Sequence, residues 1–399
     1  MSKFGKISGV FGPAFITAAT VLGPGSITVC SKAGAMQGYS LLWVVALSAV
    51  FMICCTRIFT KIGCLNNQSL LTLVGENYGK VWPLLMGLSV FVSCAGFQTG
   101  NNIGIGLSMT AMFGGSMALW AFLFTAIALL FIWTSKNFYN VLEKVMLLMV
   151  LLMIAAFAGN VYFTNPDVKG IGLGLLPSLS GDLGMIIAIS STSCSVAAAA
   201  GQSYMVQAKN WSISGLRKGL HDSTLGIITL CGLSTIIIIS SAAVLAPKGI
   251  TVDNAIQMAA QLEPLLGAFA KWLFLTGLFA ASFSSFLGNV ILSGMFLADA
   301  LHLGKTINDP WVKIFASVQL FLASCIAVFF NANPIQLLVM AQATTCLGYP
   351  LLIVMLFLLS NNRNVIREYK NRLFENIILI LATIWIFFLS YRQLSTIIY

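Results

Sequence analysis

Eleven apolar runs, at about 9–34, 40–62, 81–112, 117–134, 142–163, 183–208, 224–246, 264–300, 311–330, 335–360 and 374–397, take up nearly all of the 399 residues. Each is close to or above the roughly 20 residues that a helix needs to cross a bilayer. Hydrocarbon offers no water to pair with backbone N–H and C=O groups, so such runs must fold as helices. With 58% hydrophobic residues, 8% charged residues and a mean hydropathy of +0.94, a water-soluble core would leave too little polar surface to cover it. The expectation is an all-α, multi-pass protein of the cell membrane, one transmembrane unit over residues 1–399 in contact with the lipid bilayer. The N-terminal MSKFGKISGVFGPAF has no small-residue cleavage site after a short apolar run, so no signal peptide is expected.

The basic residues set the orientation. Alternating the runs from a cytoplasmic N-terminus puts sixteen of the 21 Lys and Arg residues inside and leaves only Lys32, Lys169, Lys248, Lys271 and Arg392 outside. The net charge of +10 is then a topology signal, and no nucleic-acid partner is inferred from it. All eleven carboxylates, from Glu76 to Glu375, fall in loops or at helix ends on this reading, and so do His221 and His302. No ionisable side chain is expected at the middle of the membrane. The nine cysteines show no C-x-x-C spacing and sit mostly in apolar runs, so neither disulfide nor metal is assigned to them.

Two runs are interrupted. In the first, Gly23-Pro24-Gly25-Ser26 stands halfway along, where proline removes a donor and the glycines let the chain leave helical geometry. Such a break survives in a membrane only if it is packed in protein or lines a polar cavity. In the sixth run a stretch of small residues from Ser190 to Gly201 leads into Gln202 and Ser203. The first and sixth runs are five apart, the offset of a five-plus-five inverted repeat with its site on the first helix of each half. A plain helix-packing role for the small residues is the other reading. In the third run Gly96, Gly100 and Gly104 form a close-packing stripe, with Gln98, Asn101 and Asn102 beside it. These amides either bond to neighbouring helices or line a wet cavity.

GPAFITAATVLGPGS and KAGA within 12–35, NVLEKV at 140–145, LEPLLG and LFLTGLFAASFSS within 262–285, and LVMAQ, GYP and SNNRNVI within 338–366 together resemble the NRAMP family of divalent-metal transporters. The resemblance implies a LeuT-type fold: two inverted five-helix repeats, about 9–163 and 183–360, plus an eleventh helix at about 374–397, with the N-terminus in the cytoplasm. It also implies a secondary transporter working by alternating access, neither an enzyme nor a channel.

Measured against that family, the departures fall on its functional positions. The family's Asp-Pro-Gly-Asn is Gly23, Pro24, Gly25 and Ser26 here, and its Met-Pro-His-Asn aligns with Ala199, Ala200, Gly201 and Gln202. Val206 stands for a second family histidine, and an acidic pair in the third helix becomes Gln98 and Asn101. Gln342 matches a glutamine that the family brings to its metal. What is left offers carbonyls, hydroxyls and amides with no formal negative charge, and Cys194 as a nearby sulfur read as a packed thiol. A dication stripped of water needs hard anionic oxygens or soft ligands, which this set lacks. The expected cargo is therefore a small organic solute, amino-acid-like or a carboxylate, held by residues 23–26 and 199–202 with Gln98, Asn101 and Gln342. The alternative is a divalent metal ion (Mn²⁺, Fe²⁺ or hydrated Mg²⁺), as in the parent family. Ser284 and Ser285 match a hydroxyl pair that LeuT-type carriers use for sodium, which makes Na⁺ the candidate coupling ion. No cofactor, no resident metal and no oligomeric state is assigned.

Overall fold

The computed structural model describes residues 21–134, 155, 157–178, 181–329 and 333–398. Among them nine helices are long and apolar enough to cross a membrane. They coincide with the second to fourth and sixth to eleventh runs. Residues 9–20 of the first run and most of the fifth, with the motif at 140–145, lie outside the described residues.

The elements that matter here are α1 (Pro24–Gln37), α2 (Leu42–Leu65), α3 (Val81–Phe113), α4 (Met117–Thr134), α5 (Leu183–Ser193), α6 (Val196–Ala208), α7 (Leu216–Val244), α8 (Ala270–Ala300), α9 (Pro310–Phe329), α10 (Pro334–Thr344), α11 (Tyr349–Asn361) and α12 (Leu373–Ile398). The sixth run is thus two helices, α5 and α6. The tenth is also divided, into α10 and α11 by a 3₁₀ segment, Thr345–Gly348.

Local chemistry explains each start. Pro24 occupies the first position of α1, where its missing N–H is one of the helix's orphans in any case, and Gly23 before it is extended at φ −102° and ψ −173°. Ser195 caps α6 by accepting from the Ala198 N–H at 3.3 Å. Asn333 caps α10 through the Ile335 N–H at 2.9 Å, with Pro334 next.

The helices gather into two groups. Residues of α3 pack most extensively on α8, and α4 and α9 join that pair. On the other side α1 and α2 pack on α7, and α6 packs on α2. Close approach in the second group depends on Gly34, where an added Cβ would run into the Ile238 carbonyl and Ser241 of α7. One turn earlier, Ser241 Oγ donates to the Ser31 carbonyl at 2.5 Å. Between the groups lies α10, touching α3, α5 and α1.

Candidate functional site

The first break is assembled from four helices. Gly23 N–H turns back to the Val21 carbonyl at 2.8 Å, and Ser26 Oγ donates to the same carbonyl at 3.1 Å. Ser285 of α8 donates to the Leu22 carbonyl at 3.2 Å. These bonds satisfy carbonyls that the break releases from helical pairing. The first backbone bond of α1 runs from Ile27 N–H to the Gly23 carbonyl, so the N–H groups of Gly25 and Ser26 precede it, and Gly23 has no side chain to cap them. Two amides close over this point. Asn101 of α3 is 1% exposed, and neither its Oδ1 nor its Nδ2 has a hydrogen-bond partner. Its Oδ1 lies 2.9 Å from where a Cβ on Gly23 would stand. Gln342 of α10 is equally buried, its Oε1 is unpartnered, and its side chain fills the space that a Cβ on Gly25 or Gly100 would need. A buried polar group without a partner costs roughly 1–3 kcal/mol, so these two amides are the unspent hydrogen-bonding capacity at the first break.

The second break is not at 199–202. It lies at Cys194 (φ −122°, ψ 68°) and Ser195 (φ −78°, ψ 95°), while Ala199, Ala200, Gly201 and Gln202 are inside α6. The Ala199 N–H is already used, donating to the Ser195 carbonyl at 2.9 Å, so these residues have no row of free donors to offer. The reason is propensity: the alanines at 197–200 are the best helix formers, and the helix yields at the Ser-Cys-Ser before them. Gly201 instead receives the Leu292 side chain of α8, and Gln202 is fully buried. Ser195 carries the N-cap signature of a small hydroxyl residue before an alanine run, a local signal that lies outside the family pattern at 199–202.

Between the breaks is a cleft lined by Val21, Cys94, Phe97, Ser195, Ala198, Asn289 and Leu292, among others, with a cavity volume of about 10 Å³. That is room for roughly one water molecule.

Gln98 does not share this site's open valences. It donates to Asn102 Oδ1 at 3.3 Å and accepts from Asn289 Nδ2 at 3.4 Å. Asn102 continues to Ser324 Oγ of α9 at 2.7 Å, and Ser324 meets Thr125 of α4 at 2.6 Å. This network ties α3, α4, α8 and α9 together, as interhelical bonds do in a bundle. Ser284 donates within its own helix to the Ala281 carbonyl at 3.1 Å, and only Ser285 reaches the first break. The glycine stripe serves close packing: Gly96 and Gly100 admit α10, and Gly104 admits Pro24 and Ser282.

Reasoning from the sequence missed Tyr349. Its hydroxyl lies 3.2 Å from the Ser191 carbonyl, 3.3 Å from Ser195 Oγ and 3.2 Å from Thr345 Oγ1. Among the described residues, no three His, Cys, Asp or Glu side chains come together as a metal-holding group.

Against known proteins, the chain matches the model of the Nramp family, described as natural resistance-associated macrophage protein-like, over residues 14–396. It belongs to the Nramp family. The divalent metal cation transporter MntH of Caldanaerobacter subterraneus is 23% identical over 393 residues, covering 95% of this chain and 91% of that one. The MntH of Deinococcus radiodurans is 24% identical over 387 residues, 92% and 85% of the two chains. In structure, an Eremococcus coleocola manganese transporter superposes with a TM-score of 0.79 at 16% identity, covering 99% of this chain and 88% of its own. A nucleobase-cation-symport-1 family transporter, closed around bromovinylhydantoin, gives a TM-score of 0.59 at 16% identity over 97% and 93%. This Nramp chain is therefore a multi-pass membrane transporter with a LeuT-type fold, and not an enzyme.

Proposed function

We propose that this Nramp transporter works by alternating access around the first break, and that its cargo is a small organic solute bearing a carboxylate, amino-acid-like in size. One observation carries the cargo reading: the buried groups left unpaired at the break are amides, Asn101 and Gln342, beside the uncapped N-terminus of α1. A helix N-terminus carries roughly half a positive charge and binds carboxylates through its free N–H groups. The N–H groups of Gly25 and Ser26 and the Asn101 Nδ2 would take the carboxylate, and Gln342 Oε1, an acceptor, would take a donor such as the solute's ammonium, while Gly201 of the 199–202 stretch packs on Leu292. A fold neighbour that holds an organic heterocycle supports the idea that this architecture accepts such cargo.

The second reading is a divalent metal ion, and the names of the relatives favour it over an organic cargo. Such an ion would meet the oxygens of Asn101 and Gln342 and backbone carbonyls while keeping much of its water, as Mg²⁺ does. Coupling to sodium through Ser285 and the Leu22 carbonyl, and a cytoplasmic N-terminus, complete the proposal.

A thermal-shift screen of the purified full chain tests it, because a ligand that binds only the folded state raises the unfolding temperature. Stabilisation by a neutral amino acid or a small monocarboxylate, with no response to Mn²⁺ or Mg²⁺, is the expected result. Micromolar stabilisation by Mn²⁺ with no organic response overturns the cargo reading in favour of the metal. Uptake into proteoliposomes unchanged when choline replaces Na⁺ removes sodium coupling.

A further inference from the structure

The two breaks lie on helices of the same group, yet each is also touched by α10 or the segment after it, from between the groups. Gln342 reaches the first break at Gly25, and Tyr349, seven residues on, reaches the second at Ser191 and Ser195. The 3₁₀ segment that joins them is fastened to the rest of the protein. Ser93 of α3 donates to the Thr345 carbonyl at 3.0 Å, and Ser390 of α12 donates to the Cys346 carbonyl at 2.8 Å. Within the segment, Thr345 Oγ1 donates to the Gln342 carbonyl at 2.7 Å and stands within reach of the Tyr349 hydroxyl.

In each of its three contacts the Tyr349 hydroxyl is the donor. The Ser191 carbonyl has no proton to give, so the phenol donates to it. Ser195 Oγ accepts from the Ala198 N–H and lies as a further acceptor 3.3 Å from the Tyr349 hydroxyl, so the single phenol proton is shared between the Ser191 carbonyl, Ser195 Oγ and Thr345 Oγ1. Tyr349 therefore offers its one proton to a carbonyl at the end of α5 and to the cap of α6, spanning the two non-helical residues, Cys194 and Ser195, about which the sixth span can turn.

We propose that Tyr349 is a positioning residue that sets the angle between α5 and α6 and, through Thr345 and Gln342, keeps the second break in register with the first. Hinges are a few element-terminal residues that absorb a change in φ and ψ. A chain of bonds from Tyr349 through Thr345 to the Gln342 carbonyl, ending in the packing of the Gln342 side chain on Gly25, makes the two hinges move as one. The link acts on the shape of the cleft whichever cargo fills it.

The native cysteines report on this. Cys194 is in the second break, and Cys94 lines the cleft from α3. The full-length protein in proteoliposomes is alkylated with N-ethylmaleimide, and the rate at each cysteine is read by mass spectrometry. Tyr349→Phe, which keeps the ring and deletes the hydroxyl, is expected to raise labelling at both Cys194 and Cys94 by about fivefold or more, the scale of a coupling between sites. Labelling at Cys64, at the far end of α2, stays unchanged. Gln342→Ala is expected to raise Cys194 labelling as well, and the double variant goes no further than the larger single change. A rise confined to Cys194 in Tyr349→Phe overturns the proposal, because a purely local packing role predicts that pattern. Thr345→Val leaves the phenol in place and must reproduce the two-site rise even if Tyr349→Phe fails to fold. Wild-type labelling in Thr345→Val overturns it too.

Discussion

Tyr204 donates its hydroxyl to Asp299 Oδ2 across 2.5 Å, joining α6 to the end of α8 about two and a half turns beyond the cleft. Both residues are buried, at 5% and 7% exposure. Tyr204→Phe leaves a buried carboxylate without this donor, and a hydrogen bond to a charged group contributes about 1.5–3 kcal/mol. The unfolding midpoint in detergent should fall accordingly. Asp299→Asn keeps an acceptor in place and should lose less. Equal midpoints for wild type and Tyr204→Phe would show that the bond contributes nothing.

Asn101 illustrates the opposite balance. Its amide is buried with both polar atoms unpartnered, so replacing it by a residue of similar size removes a penalty. Asn101→Leu is expected to raise stability by about 1 kcal/mol while abolishing the ligand-induced thermal shift. A destabilised variant that still responds to ligand would put Asn101 among the structural residues.

Lys61 Nζ sits 2.9 Å from both carboxylate oxygens of Glu375, which joins α2 to α12. Lys61 is 7% exposed, so Glu375→Gln strands a nearly buried ammonium. Breaking a buried pair by removing one partner costs about 3–5 kcal/mol; the side chain of Glu375 is 19% exposed, which sets the expectation at the low end. The double variant Lys61→Met, Glu375→Gln should recover most of the loss in a chemical denaturation series.

Asp309, in the turn between α8 and α9, accepts from the N–H groups of Lys305 and Thr306, each at 2.7 Å. Burial opposes its charged form, but these backbone donors outweigh burial and hold the carboxyl below the usual carboxylate range. A depressed pKa contributes stability above the unfolded value, about 3.9, and that contribution is lost as pH falls through the lower folded value. Asp309→Asn should therefore melt below wild type at pH 7, with the gap closing as the pH is taken below about 4. A gap that persists unchanged at low pH would mean that the charge is irrelevant.

The positions of the spans were legible because length and apolarity are local properties, and among the described residues nine helices stand where runs were read. The first break was equally plain, since proline and glycine act on the backbone wherever they occur. Gln342 and Asn101 could be nominated by residue type and family pattern. That they meet at Gly23 and Gly25 depends on how α3 and α10 pack. The second break was misplaced by four residues or more because a run of small side chains fits an intact helix as readily as a broken one. Gln98 and Asn101, three residues apart on one helix, look alike in sequence. One is bonded to Asn102 and Asn289, while the other keeps both amide atoms open.

By itself the sequence determined a bundle of membrane helices with one certain interruption, because hydropathy and proline geometry need no neighbours. The tertiary structure decided which amides are spent on the bundle and which stay free, where the sixth span bends, and that Tyr349 bridges the bend. Hydrogen bonds between helices more than a hundred residues apart depend on distances and angles that only packing sets.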